Sequence, residues 1–353
     1  MKKNGTVEFL RFVFCMAVLL FHVSTDIFGK DWHPATWGGV LRYGALSIEF
    51  FFLTSGYFMA RSLSRLKDNS ESLVDDTWKF AWKKLKPILP YHIIFNAIML
   101  LKMVLRRGSI EEVVRSLSSF LFLPTFGFND GGWLLGAEWY IGYMLFVMIL
   151  IYPFLRRYRI QVMNYVAPIG SLVLLGYLET NYHTVMGSDS LIVSMATILL
   201  GIAIYPLSEW IKSRMTMQCN KGMTIAVRIY PVIAIGAFLL YMATSLPTEM
   251  QPILVVILAT GMAVTFAEEG VLSHGTVLNH PWVMWLGKIS LPMYMVQNIT
   301  RQIAIAFVKG RPVIIQYAIE IVFTLVAGII AYHVISFALK RLASKRSTSI
   351  TSA

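Results

Sequence analysis

The chain is short of charge. Asp, Glu, Lys and Arg supply only 14% of its 353 residues while hydrophobic residues supply 56%, a balance far from that of a soluble globular domain. It is short of cysteine too. Cys15 lies in an apolar run and Cys219 in a basic segment, so neither a disulfide framework nor a metal-ligand cluster is available, and no metal is expected. Basic runs interleaved with base-stacking aromatics are missing, so the net charge of +12 does not point to nucleic acid. No small-residue cleavage site follows Lys2, Lys3 and the first apolar run, so that run reads as a retained helix and not as a signal peptide. Internal repeats and low-complexity tracts are also absent. One integral membrane domain is expected over residues 1–345, with a short polar tail over 346–353.

What the chain has in quantity is apolar runs long enough to cross a bilayer core. They fall at 7–27, 40–60, 86–107, 138–155, 160–178, 186–207, 224–244, 251–267, 281–299 and 313–339. The expected fold is therefore all-α and polytopic, with about ten transmembrane helices in a lipid bilayer. Basic residues set the orientation. Arg61, Arg65, Lys79, Lys83 and Lys84, then Arg156, Arg157 and Arg159, then Lys212, Arg214 and Lys221, fall on the side shared with the N-terminus, whereas the loops 179–189 and 245–252 contain no Lys or Arg. Both termini are expected to be cytoplasmic.

The first run, "EFLRFVFCMAVLLFH" at 8–22, carries Glu8, Arg11 and His22. Ionisable groups in hydrocarbon cost several kcal/mol each and mark functional positions. Eleven residues advance a helix three turns plus ~20°, so Arg11 and His22 share one face about 16 Å apart. A guanidinium suits an anionic ligand, a carboxylate one turn earlier can orient it, and an imidazole suits proton abstraction. Each also has a structural reading, since arginines near helix ends snorkel and bundle histidines hydrogen-bond their neighbours. The second run adds Glu49, with Arg42 on nearly the same face, and "SGY" at 55–57, which suits either close helix packing or ligand contact. Cys15 is expected to be inert in its apolar surroundings. His92 follows a break at Pro87 and Pro90 that could line an entrance, while His33, His183, His274 and His280 fall in loops and His333 in the last run.

The Arg11-to-His22 spacing, "IEFFFLTSGYF" at 48–58, "WKKLKPILPYH" at 82–92, "EWYIGYMLF" at 138–146 and "LGKISLPMYMVQN" at 286–298 occur in an order that resembles the acyltransferase-3 family of integral membrane acyltransferases. Glu8 and Glu49 stand where that family commonly has Asp, and Gln297 where it often has His. The resemblance implies a multi-pass protein of the bacterial inner membrane. It implies transfer of an acyl group, usually acetyl, from a cytoplasmic acyl-CoA to a hydroxyl of a carbohydrate or other envelope molecule, with no permanently bound cofactor. On that basis His22, Arg11 and Glu49 are the catalytic candidates, and Arg11, Lys83, Lys84 and Lys86 the donor-binding ones. Trp139, Tyr140, Ser55 and Gln297 are the candidates for acceptor contact. The competing expectation is a transporter or flippase of an envelope precursor that uses Arg11, His22 and Glu49 as a substrate or proton path. A silent sensor or scaffold is a third.

Overall fold

The computed structural model describes residues 4–29, 41–66, 72–181, 189–216, 221–244, 247–274 and 277–351. His33, His183, Cys219 and most of the loop 28–39 lie outside the described residues. Among the described residues there is no strand. The first helix, α1 (Gly5–Phe28), is started by Asn4, whose side chain accepts from the amides of Thr6 at 2.9 Å and Val7 at 3.4 Å. Then come α2 (Ser47–Ser64), α3 (Leu73–Leu85), α4 (Leu89–Leu105), α5 (Ile110–Ser116) and α6 (Trp139–Arg157). They are followed by α7 (Arg159–Thr180), which contains a π turn at Val162–Val166, and by α8 (Ser190–Thr216) and α9 (Lys221–Met242). The last three are α10 (Gln251–Phe266), α11 (Pro281–Val308) and α12 (Val313–Thr351).

Every expected apolar run falls on one of these helices. Among the described residues six helices, namely α1, α6, α7, α8, α9 and residues Val313–Leu342 of α12, are long and apolar enough to cross a membrane alone, and α3 with α4 makes a seventh if taken as one broken span. The protein is thus a multi-pass, all-helical membrane protein. The outward faces of α7 and α12 carry Ile169, Leu172, Val173, Val326, Ile330 and Val334, a surface that only lipid suits.

The region before the third run is more structured than hydropathy suggests. The helix α3 is amphipathic, with Asp75 and Asp76 in its first turn, Lys83 and Lys84 in its last, and Trp78 and Trp82 exposed. Pro87 has no amide to continue that ladder, so the chain breaks, bends by 56° and restarts at Leu89, with Pro90 in the first turn of α4. The segment between α4 and α6 is not an extended loop. After α5, whose Ser109 and Glu112 form a capping box, it winds through short 3-10 turns that pack on α4, α6 and α11.

Helix α1 packs against α11 and α12, and α2 against α8. The second contact depends on facing glycines. A Cβ at Gly56 would lie 2.1 Å from the Ile198 carbonyl oxygen, and one at Gly201 2.1 Å from that of Leu53. The "SGY" stretch therefore packs helices at Gly56. Gly56→Ala is expected to lower stability by about 1–3 kcal/mol through overpacking, whereas Gly236→Ala, with no atom within 4 Å, should leave it unchanged. Thermal unfolding of both variants in detergent checks this.

Candidate active site

Three contacts set the register between α1 and α11. Gly287 packs on Glu8 so closely that a Cβ there would lie 2.6 Å from the Glu8 Cβ. The Cys15 thiol donates to the Ser290 carbonyl at 3.3 Å, and Arg301 grips Asp26. Positions 8, 15 and 26 thus meet 287, 290 and 301 in order, so the two helices run parallel. His22, one turn before Asp26, consequently lies at the level of Gln297, one turn before Arg301.

At the first end of this face, Arg11 donates to Glu8 at 3.1 Å and its guanidinium sits 6.0 Å from the centre of the Phe58 ring. Of the three lysines near the α3–α4 break, only Lys84 is half-buried, and it lies within electrostatic range of Arg11. Lys83 and Lys86 are exposed. Of the three donor-binding lysines expected from the sequence, one alone turns to the α1 face.

At the other end, His22 is half-buried and makes no hydrogen bond among the described residues. Its ring nitrogens are available. Gln297 is 2% exposed and its Nε2 has no partner. Above them, Arg301 holds both carboxylate oxygens of Asp26 at 2.5 Å, a bidentate pair. The Ser24 and Tyr317 hydroxyls are 2.6 Å apart, and Glu320 is 1% exposed with neither carboxylate oxygen hydrogen-bonded. Asp26, Arg301 and Glu320 were missed from sequence. The available signal was spacing, since Asp26 follows His22, and Arg301 follows Gln297, by one helical turn.

The remaining candidates lie elsewhere. Glu49 is 2% exposed, accepts from the Gln251 side chain at Oε1 and leaves Oε2 without a partner. It pairs with neither His22, Arg11 nor Arg42, whose guanidinium lies over Tyr43 instead. The Ser55 hydroxyl points at the Met144 sulfur, 3.3 Å away. Tyr140 is buried among Phe51, Phe52 and Tyr294, and Trp139 is nearly as buried against Tyr143. Trp133, by contrast, is half-buried.

His92 does not line an entrance. It is fully buried, with Nδ1 2.6 Å from Glu138 Oε1, Nε2 3.1 Å from the Phe120 carbonyl, and its ring stacked on Phe122. Asn96 donates to both Glu138 oxygens at 2.9 and 3.0 Å. Nε2 thus faces one acceptor, while Nδ1 faces both the Glu138 carboxylate and the Asn96 amide, 3.2 Å away. This cluster ties the 3-10 segment to α4 and α6.

The match to known proteins follows the same span. A family model described as an acyltransferase domain matches residues 4–333, nearly the whole chain. The chain belongs to the acyltransferase-3 family. It is accordingly a membrane acyltransferase, in a family whose members commonly modify polysaccharides. No curated protein and no solved structure matches it significantly.

Removing His92 would leave Glu138 buried with only Asn96 beside it. His92→Ala is expected to cost about 3–5 kcal/mol, the scale for breaking a buried pair, and to expose residues 117–135 to protease. Thermal unfolding and limited proteolysis in detergent measure both effects.

Proposed function

We propose that this acyltransferase is an O-acyltransferase, in particular an O-acetyltransferase, that moves an acyl group from cytoplasmic acyl-CoA to a hydroxyl of a cell-envelope or secreted carbohydrate. The observation that carries the reading is the two-ended face of α1. Arg11 stands with Lys84 at one end, and His22 stands level with the unpartnered Gln297 amide about three turns away. The guanidinium fork and ammonium suit the phosphates of the donor, with Lys83 and Lys86 adding positive field at the surface.

In the reaction, His22 takes the proton of the acceptor hydroxyl as its oxygen attacks the thioester carbonyl. The Gln297 amide donates to the developing oxyanion, a role open to Gln as it would be to His. The carbon–sulfur bond then breaks, and the CoA thiolate recovers the proton from the imidazolium. No acyl-enzyme is required, and Cys15 stays occupied at Ser290. Glu49 ties the start of α2 to Gln251 of α10, and the turn just before α2 abuts α1 at Ala17 and Phe21 through Gly44. Ser55, Trp139 and Tyr140 shape the wall of the route from behind.

Ten crossings with both termini cytoplasmic, in a bacterial inner membrane, complete the reading. Reporter fusions after residues 120, 158, 184, 218 and 248 should read outside, inside, outside, inside and outside.

The deciding assay uses purified protein in vesicles with labelled acetyl-CoA and carbohydrate acceptors. His22→Gln should lose on the order of 10²–10⁴ in turnover, while added CoA still protects it against heat. Arg11→Lys keeps the charge but loses the fork, so donor affinity should fall by about 1–3 kcal/mol. Wild-type turnover in His22→Gln would remove the base from the mechanism. Passage of acceptor across the vesicle without consumption of acetyl-CoA would establish the transporter instead.

A further inference from the structure

Beside Gln302 in the C-terminal half of α11 lies an open cavity of about 420 Å³, lined by the C-terminal half of α4, α5 and the segment before α6. Its size suits a small ligand. Lys102 lines it from the last turn of α4 and Arg106 from the residue that caps that helix, Ser116 and Asn129 add oxygens while donating to the Glu112 and Gly132 carbonyls, and Trp133 supplies an aromatic wall. Trp133 is braced from behind, because its ring lies against Gly142 and edge-on to Phe122. Among the described lining residues Glu112 is the one carboxylate, and it is engaged at 2.9 Å by the Ser109 amide as the cap of α5. Among those residues the cations Lys102 and Arg106 outnumber it.

A hydrogen-bonded chain leads from this cavity to Asn298 of α11. Lys102 donates to the side-chain Oε1 of Gln302, and the Gln302 Nε2 donates to the Asn298 Oδ1 at 3.1 Å. Asn298 is the neighbour of Gln297. Lys102 keeps two further hydrogens for a ligand. The cavity also lies at the opposite end of the parallel α1–α11 pair from Arg11 and Lys84, where an acceptor would approach independently of the donor.

We infer that this cavity is the acceptor subsite, and that it takes a sugar bearing an oxyanion, a carboxylate or a phosphate, held by Lys102 and Arg106 with the ring stacked on Trp133. The reading rests on the proposed acyl transfer. A sugar ring offers an apolar C–H face to an aromatic plane and hydroxyls to amides, and a fork beside an ammonium selects an anion.

The test compares three acceptors with the full-length protein in vesicles. The first is an oligosaccharide alternating glucuronate with N-acetylglucosamine, the second the same oligosaccharide with its carboxylates reduced to alcohols, and the third that reduced form carrying phosphate monoesters. At least one anionic form should show a KM about tenfold or more below the neutral form, the scale of one charge-assisted hydrogen bond. Whichever anion wins names its source. Arg106→Gln and Lys102→Met should each raise the anionic KM about tenfold and leave kcat, the neutral acceptor's KM and the acetyl-CoA KM unchanged. Trp133→Leu should raise the KM of all three. Equal KM values for anionic and neutral forms, or an Arg106→Gln variant that keeps the preference, would overturn the subsite. Hydrolysis of acetyl-CoA without acceptor, dependent on His22, reads the chemistry separately. If it proceeds while the acceptors are indistinguishable, the subsite alone fails; if neither hydrolysis nor transfer occurs, both readings fall.

Discussion

The parallel contact between α1 and α11 is the constraint on which the other placements depend. It needs a missing side chain at Gly287, because any Cβ there would strike Glu8, and it is tightened at the far end by the fork of Arg301 on Asp26. A small residue at one end and an ion pair at the other are the two devices by which helices associate where lipid offers no hydrophobic drive. With the register fixed at both ends, His22 and Gln297 have no freedom to fall at different depths. The polar groups that would be costly singly in hydrocarbon are thereby gathered along one seam.

A second polar assembly serves a different purpose. His92, Glu138 and Asn96 are fully buried and mutually bonded, and their partner carbonyl at Phe120 belongs to the segment between α4 and α6. That segment is built of short 3-10 turns. Tying it to two helices gives Trp133 and Asn129 a fixed frame, so the cavity wall is built from short turns but does not behave as a loose loop.

Much of this was legible in the sequence because hydropathy and helical phase are one-dimensional signals. All ten apolar runs became helices, and the eleven-residue step from Arg11 to His22 placed both on one face, as 3.6-residue periodicity requires. What could not be read depends on partners far apart in the chain. Lys84 differs from Lys83 and Lys86 in sharing the face of α3 that buries Phe80 and Ala81, and only the packing of that face shows it. Nothing local joins Asp26 to Arg301, 275 positions later, or gives Glu49 to Gln251 and not to the nearer Arg42. Helix α3 escaped because its apolar residues occupy one stripe and its mean hydropathy is low. His92 misled for a related reason, since a histidine after a proline break looks alike whether it faces a portal or a buried carboxylate.

Helix α1 contains no proline and no internal glycine between Arg11 and His22. The separation of those two side chains is therefore set by backbone geometry, about 1.5 Å for each residue, and does not flex with the bilayer or with the neighbouring helices. On the proposed chemistry, this makes the helix a ruler. A donor anchored by its anionic end at Arg11 delivers its thioester to His22 only if the arm between them has the matching length. Selection among carriers then follows from reach, and a thioester on a shorter arm is refused however tightly its head is held.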